Sequence, residues 1–183
     1  TNSDWLDEYH QGVRYGLLGK LILEEFSTFQ KITIFESERY GKALLLDDCW
    51  MTAEKSEKYY HECLIHPALC GSRQINNVLI IGGGDGGSAR ECLKYKEVES
   101  IDLVEIDLRV VELSKKYLPT IGDNAWSDSR LHLQIKNGID WVKNTKNKSY
   151  DVIIIDGSDP IGPSKELYSN SFIEDCKRIL KPE

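Results

Sequence analysis

The run Val78-Leu79-Ile80-Ile81-Gly82-Gly83-Gly84-Asp85-Gly86-Gly87 constrains the fold more than any other stretch, because it sends an apolar strand directly into a loop built to bend. Apolar residues rich in β-branching predict a parallel strand buried on both faces, and the glycines let the chain turn sharply against a ligand. Gly82, Gly84 and Gly87 fit G-x-G-x-x-G, with Glu105 arriving after a second strand, so Gly82, Gly84 and Gly86 are expected beside a nucleotide-type ligand. Asp85 narrows the ligand class. A loop that cradles pyrophosphate offers N–H groups and avoids carboxylates, since a helix N-terminus already favours anions. A carboxylate there suits an adenosine that carries an ammonium or sulfonium. The competing role for Asp85 is a helix N-cap, worth about 1 kcal/mol; the surrounding glycines favour the ligand role.

With 183 residues and 40% hydrophobic content, the chain can bury a core with a small appendage. A net charge of −7 with no Lys/Arg block argues against a nucleic-acid surface, and no stretch approaches the length of a membrane span. The five cysteines include no C-x-x-C pair, so they are read as reduced thiols of a cytoplasmic protein. His61 and His66 lack the companions of a metal site, and no metal is expected.

Two regions are expected, a β-rich segment over 1–53 and an α/β segment over 54–183. In the first, strands are predicted over 19–25, 29–36 and 43–46, with a turn at Arg39-Tyr40-Gly41. Such a small sheet leaves edges and must pack on the larger region or on a second copy. A helix is predicted over 54–70, bent or interrupted by Pro67. Strands at 78–81, 101–105, 131–135 and 151–155 then alternate with helices near 88–95, 109–117, 138–144 and 165–180. That order gives parallel βαβ units of a Rossmann-like, methyltransferase-type sheet, with ligands at the carboxyl ends of the strands. Asp85, Glu105, Asn137 and Asp156 all fall there. The chain reaches Lys181-Pro182-Glu183 directly after a helix, and the sheet is read as truncated at its C-terminal side.

Glu105 can accept both hydroxyls of a ribose in fork geometry, whereas Asp107 is better read as the N-cap of the next helix. Asn137-Gly138 is as readily a turn as a contact to an adenine edge. In Val152-Ile153-Ile154-Ile155-Asp156-Gly157-Ser158-Asp159-Pro160, a buried strand delivers Asp156 to the crevice and Asp159 follows on a stiffened loop. Two carboxylates at one mouth need cations or hydrogen bonds, the environment a diamine wants. A turn role explains Asp159 but leaves Asp156 without a reason. Asp156 is the candidate proton acceptor, assisted by Tyr60 or a water. For Tyr59 and Tyr60, spacing alone favours packing over ligand contact.

Together these residues resemble the spermidine synthases, the polyamine aminopropyltransferases. The resemblance rests on Gly82–Gly87 with Arg90-Glu91, Val104-Glu105-Ile106-Asp107, Tyr117-Leu118-Pro119, Asn137-Gly138, Asp156–Pro163, and upstream Phe29-Gln30-Lys31-Ile32, Leu46-Asp47, Thr52–Lys55 and Tyr60-His61-Glu62. It implies transfer of an aminopropyl group from decarboxylated S-adenosylmethionine, a co-substrate rather than a prosthetic group, to putrescine. By position, Gln30, Glu105, Asn137, Gly138 and Pro163 would hold the adenosine part and Asp85 the aminopropyl ammonium. Asp156, Asp159, Tyr60 and His61 would hold the acceptor amine, and a homodimer or homotetramer is implied. Two alternatives compete: a methyltransferase using S-adenosylmethionine, and a binding or association subunit impaired by the truncation.

Overall fold

Two sheets, one antiparallel and one parallel, make up the computed structural model, which describes residues 4–158 and 162–182. The first is a meander of β1 (Asp4–His10), β2 (Val13–Phe26), β3 (Lys31–Ser37), β4 (Gly41–Leu46) and β5 (Cys49–Ala53), each strand beside its sequence neighbour. Tight two-residue turns close its outer hairpins. Gln11 and Gly12 both take positive φ (46° and 82°), as do Asp47 and Asp48 (49° and 66°), which matches the twist of a two-residue hairpin. The sequence reading stopped the third of its strands at Asp47-Asp48 and found neither β1 nor β5. Both outer strands alternate polar and apolar residues only loosely, and β1 remains largely exposed.

β3 explains its own mixed pattern. Ile32, Thr33, Ile34 and Phe35 are all buried, because the strand is covered on both faces. One face packs Ile32, Ile34 and Leu44 against Val110, Leu113, Leu118 and Ile121, so the small sheet docks on the α/β region. On the other, Phe35 meets the Trp50 ring edge-on at 6.1 Å.

The parallel sheet runs β8 (Leu131–Ile135), β7 (Ser100–Glu105), β6 (Asn77–Gly82), β9 (Val152–Asp156). The chain winds outward from β6 to β7 and β8, then crosses back to pair β9 with β6 on the other side. The reversal creates a crevice beyond the carboxyl ends of β6 and β9, where α/β sheets bind ligands. Helices α1 (Glu57–Gly71) and α2 (Gly87–Leu93) cover one face over Ile65, Leu69, Ile80 and Leu103. Helices α5 (Gly138–Asn144) and α6 (Asn170–Ile179) cover the other over Leu79, Ile81, Val104 and Phe172. Helix α3 (Leu108–Tyr117) faces the meander.

Three expectations change. α1 continues through Pro67, since buried Ile65 and Leu69 anchor the turns on either side. The helix expected over 165–180 divides into a 3-10 segment, Gly162–Tyr168, and α6, because Ser169 caps a new start by accepting from Phe172 N–H. A short helix α4 (Pro119–Gly122) and a 3-10 turn (Asp123–Ser127) also fill a stretch for which no element is predicted. Among the described residues, no helix is long and apolar enough to cross a membrane.

Candidate functional site

A cavity of about 250 Å³ opens beyond the carboxyl ends of β6, β7 and β9, between the parallel sheet and the meander. Glu105 and Ile106 form its floor, Asn137 and Gly138 one side, Gly82 and Gly157 another, and Gln30 and Met51 the meander side. Two of the four predicted strand-end residues, Glu105 and Asn137, line this cavity, while Asp85 and Asp156 lie outside its wall and meet each other beside His61, with ligand atoms within 4.8 Å of one another.

Gly82 lines the cavity and is required by its neighbour as well. It has φ +83°, and a Cβ there would lie 2.1 Å from the Asp156 carbonyl oxygen. This contact lets β6 and β9 end side by side, with Gly83 N–H donating to the same oxygen at 2.8 Å. A Cβ at Gly84 would press on the Glu105 carboxylate. Gly86 is absent from the cavity wall; its α-carbon faces Trp126 and Gly122 instead.

Glu105 is 8% exposed and accepts the Asp107 N–H at 2.9 Å. Burial pushes its carboxyl up to about 7, although the N–H groups of Asp107, Ile106 and Gly84 work against the shift. Asp107 caps α3 through Arg109 N–H, as read from the sequence. Its other oxygen accepts from Ser27 Oγ at 2.6 Å and Gln30 Nε2 at 3.0 Å, so Gln30 is anchored at the cavity rim. Asn137 lines the cavity and also caps α5, its Oδ1 accepting from Ile139 N–H at 2.8 Å. The turn and ligand readings of Asn137 are therefore compatible only through its amide nitrogen.

Asp85 spends one oxygen on Gly87 N–H at 2.9 Å and presents the other to His61 Nε2 at 3.3 Å. Asp156 accepts from Ser88 Oγ at 2.6 Å and Tyr60 Oη at 2.8 Å. The two acids are pushed apart. Burial, then the charge of Asp85, raises the Asp156 carboxyl, with Ser88, His61 and Tyr60 opposing. Burial would raise Asp85 too, but the hydrogen bond and charge of His61 outweigh it and hold Asp85 below its ordinary value. Tyr60 is raised by burial and by Asp156, so it stays a phenol and donates. A separated pair gives one acid suited to receive a proton and one suited to remain a charge.

The packing that spacing favours for Tyr59 and Tyr60 is not what the structure shows. Tyr59 is 79% exposed, while Tyr60 reaches Asp156. His61 is 1% exposed, set behind Asp85 and closed off from the crevice. Asp159 lies outside the described residues, as does the side chain of Pro163. Sequence reasoning missed Ser88, Glu57 and the use of Arg90. Glu57 lies one helical turn before His61, a spacing that would have found the pair.

Residues 57–183 match the spermine/spermidine synthase domain, and residues 5–54 match the spermidine synthase tetramerisation domain. A polyamine aminopropyltransferase of Prochlorococcus marinus (strain NATL1A) is 86% identical over 182 residues, covering 100% of this chain and 63% of that protein. Another, from strain MIT 9313, is 60% identical over 100% of this chain and 64% of its own length. The chain thus spans less than two thirds of these relatives. A spermidine synthase crystallised with the transition-state analogue AdoDATO superimposes with a TM-score of 0.92 at 38% identity, over 97% of this chain and 61% of that one. The spermidine synthase of Thermotoga maritima gives 0.90 at 38% identity, over 97% and 60%.

Proposed function

The chain belongs to the spermine/spermidine synthase family, and on that premise we propose that its crevice binds decarboxylated S-adenosylmethionine and transfers the aminopropyl group to putrescine. The observation that carries this reading is the Asp85–Asp156 pair, two carboxylates whose ligand atoms lie within 4.8 Å of one another near a cavity lined by the buried Glu105.

In this reading Glu105 accepts the ribose hydroxyls, with Gln30, Asn137, Gly138 and Pro163 around the adenosine. Ionised Asp85 takes the donor's ammonium. The undecarboxylated donor places a carboxylate at that point and is repelled, which separates this chemistry from methyl transfer. Putrescine arrives protonated, since a primary alkylamine titrates near about 10.4. Asp156, fixed by Ser88 and Tyr60, takes a proton from the ammonium and so frees the nitrogen lone pair, which then attacks the carbon bonded to sulfur. A C–N bond forms, the C–S bond breaks with its electron pair going to sulfur, and spermidine and methylthioadenosine result. Such a displacement needs in-line alignment more than covalent assistance, so positioning supplies much of the rate.

Asp159 is assigned to the far end of the diamine. Residues 1–53 and 54–183 are treated as an association unit and a ligand-binding unit, and the assembly as a homodimer or homotetramer in the cytoplasm. The test is Asp156→Asn, which keeps volume but cannot take the proton. Turnover should fall by about 10²–10⁴-fold with donor affinity preserved. Near wild-type turnover at every pH would reject Asp156 as the acceptor.

A further inference from the structure

Behind Asp85 lies a buried chain of charges that the proposed reaction does not use. His61 Nδ1 lies 2.6 Å from Glu57 Oε2, and His61 Nε2 lies 3.3 Å from Asp85 Oδ2. Glu57 is in turn gripped at both oxygens by Arg90, Nη1 to Oε1 and Nη2 to Oε2, each at 2.9 Å. Arg90 is itself fixed by Glu91 at 2.8 Å and by the Ile121 carbonyl at 2.6 Å. Gly87 makes room for the ring, since a Cβ there would fall 2.3 Å from His61 Cε1.

The contacts at the two ring nitrogens bear on the state of this ring. An ionised carboxylate only accepts, so a nitrogen facing one must carry a proton. Arg90 donates to both oxygens of Glu57 in a two-point clamp. Both nitrogens of His61 face carboxylates, an arrangement that a ring carrying both protons satisfies. We infer that Glu57, clamped by Arg90, is a positioning residue that fixes His61 as a resident imidazolium, and that this cation keeps Asp85 ionised and aimed at the donor's ammonium. This rests on the proposed donor site and deepens it.

Every charged or titratable group around the ring fits. Glu57 and Tyr60 come from α1, Asp85 from the glycine loop and Asp156 from β9; the Tyr60 ring stands edge-on at 5.2 Å. Burial works against the imidazolium, but Asp85, Glu57 and Asp156 outweigh it and raise the ring to about 9. Ligand atoms of His61, Asp85 and Asp156 lie within 4.8 Å of one another, a spacing that would also suit a metal ion. A doubly protonated ring has no lone pair to offer one.

The test follows the ring by NMR titration of the histidines in the wild-type protein and in Glu57→Gln, beside affinities for methylthioadenosine and for decarboxylated S-adenosylmethionine. Wild-type His61 should titrate near 9, and Glu57→Gln should lower that by at least about one pH unit. The same variant should lose at least about fivefold of the preference for the ammonium-bearing ligand, as expected when a charged hydrogen bond is misaimed. Glu57→Asp, which keeps the charge, should recover part of both and serves as the second variant should Glu57→Gln not fold. His61 titrating at or below its ordinary value in the wild type, or an unchanged ligand preference in a folded Glu57 variant, would overturn the inference. Failure of the wild-type protein to bind methylthioadenosine would instead strike the donor-site reading, whatever the ring does.

Discussion

Glu105 carries a protonation equilibrium that its ligand should sense. Its carboxyl sits near 7 because burial disfavours the charge, yet a ribose diol donates to the ionised form. Binding should therefore release a proton, and methylthioadenosine affinity should rise from pH 6 to 8 and then level off. Glu105→Gln should flatten that profile and cost roughly 1.5–3 kcal/mol of affinity at pH 8. Titration calorimetry across pH reads both effects; an unchanged affinity would remove Glu105 from the site. The same shift bears on stability. A carboxyl raised in the folded state binds more protons there than when unfolded, so stability falls as pH rises from the ordinary value toward 7. Relative to wild type, Glu105→Gln should gain stability across that window. Asp85, Glu105 and Asp156 were legible in the sequence because strand ends and glycine loops locate themselves. Arg90 and Ser88 were not, because their partners lie 33 and 68 residues away and only folding brings them together, whereas the Glu57–His61 pair had a helical spacing to betray it.

Among elements, the parallel strands declared themselves by continuous apolar runs, since a strand covered on both faces has no polar side to show. β1 and β5 gave no such signal, being edge strands of a meander with partly exposed faces. The break at Ser169 was hidden inside a run of helix formers, although a serine three residues before Phe172 is a capping signal. Gly82 offers the sharpest test at this scale. Alanine there is strained by the positive φ and collides with the Asp156 carbonyl. Gly82→Ala should lose upwards of about 2 kcal/mol of stability, read from the denaturant midpoint. A loss under about 0.5 kcal/mol would mean that β6 and β9 do not meet as described.

For the whole molecule, the meander does two jobs at opposite ends. Its inner face packs Ile32, Ile34 and Leu44 on α3 and walls the cavity with Gln30 and Met51. Its outer hairpin exposes Trp5 and Leu18, cross-strand partners that are 59% and 50% exposed. With the match of residues 5–54 to a tetramerisation domain, that hairpin is the expected surface between copies. Leu18→Glu should weaken self-association by at least about tenfold in sedimentation velocity, because a charge buried in an interface is costly. A variant that assembles as tightly as wild type would move the interface elsewhere.

The proposed reaction requires a crevice that takes a cation beside an adenosine. Calorimetric binding of decarboxylated S-adenosylmethionine and of S-adenosylmethionine to the same protein at pH 8 tests it most directly. The decarboxylated compound should bind at least about tenfold more tightly, the preference collapsing in Asp85→Asn. Equal affinities, or a preference for the carboxylated compound, would contradict it.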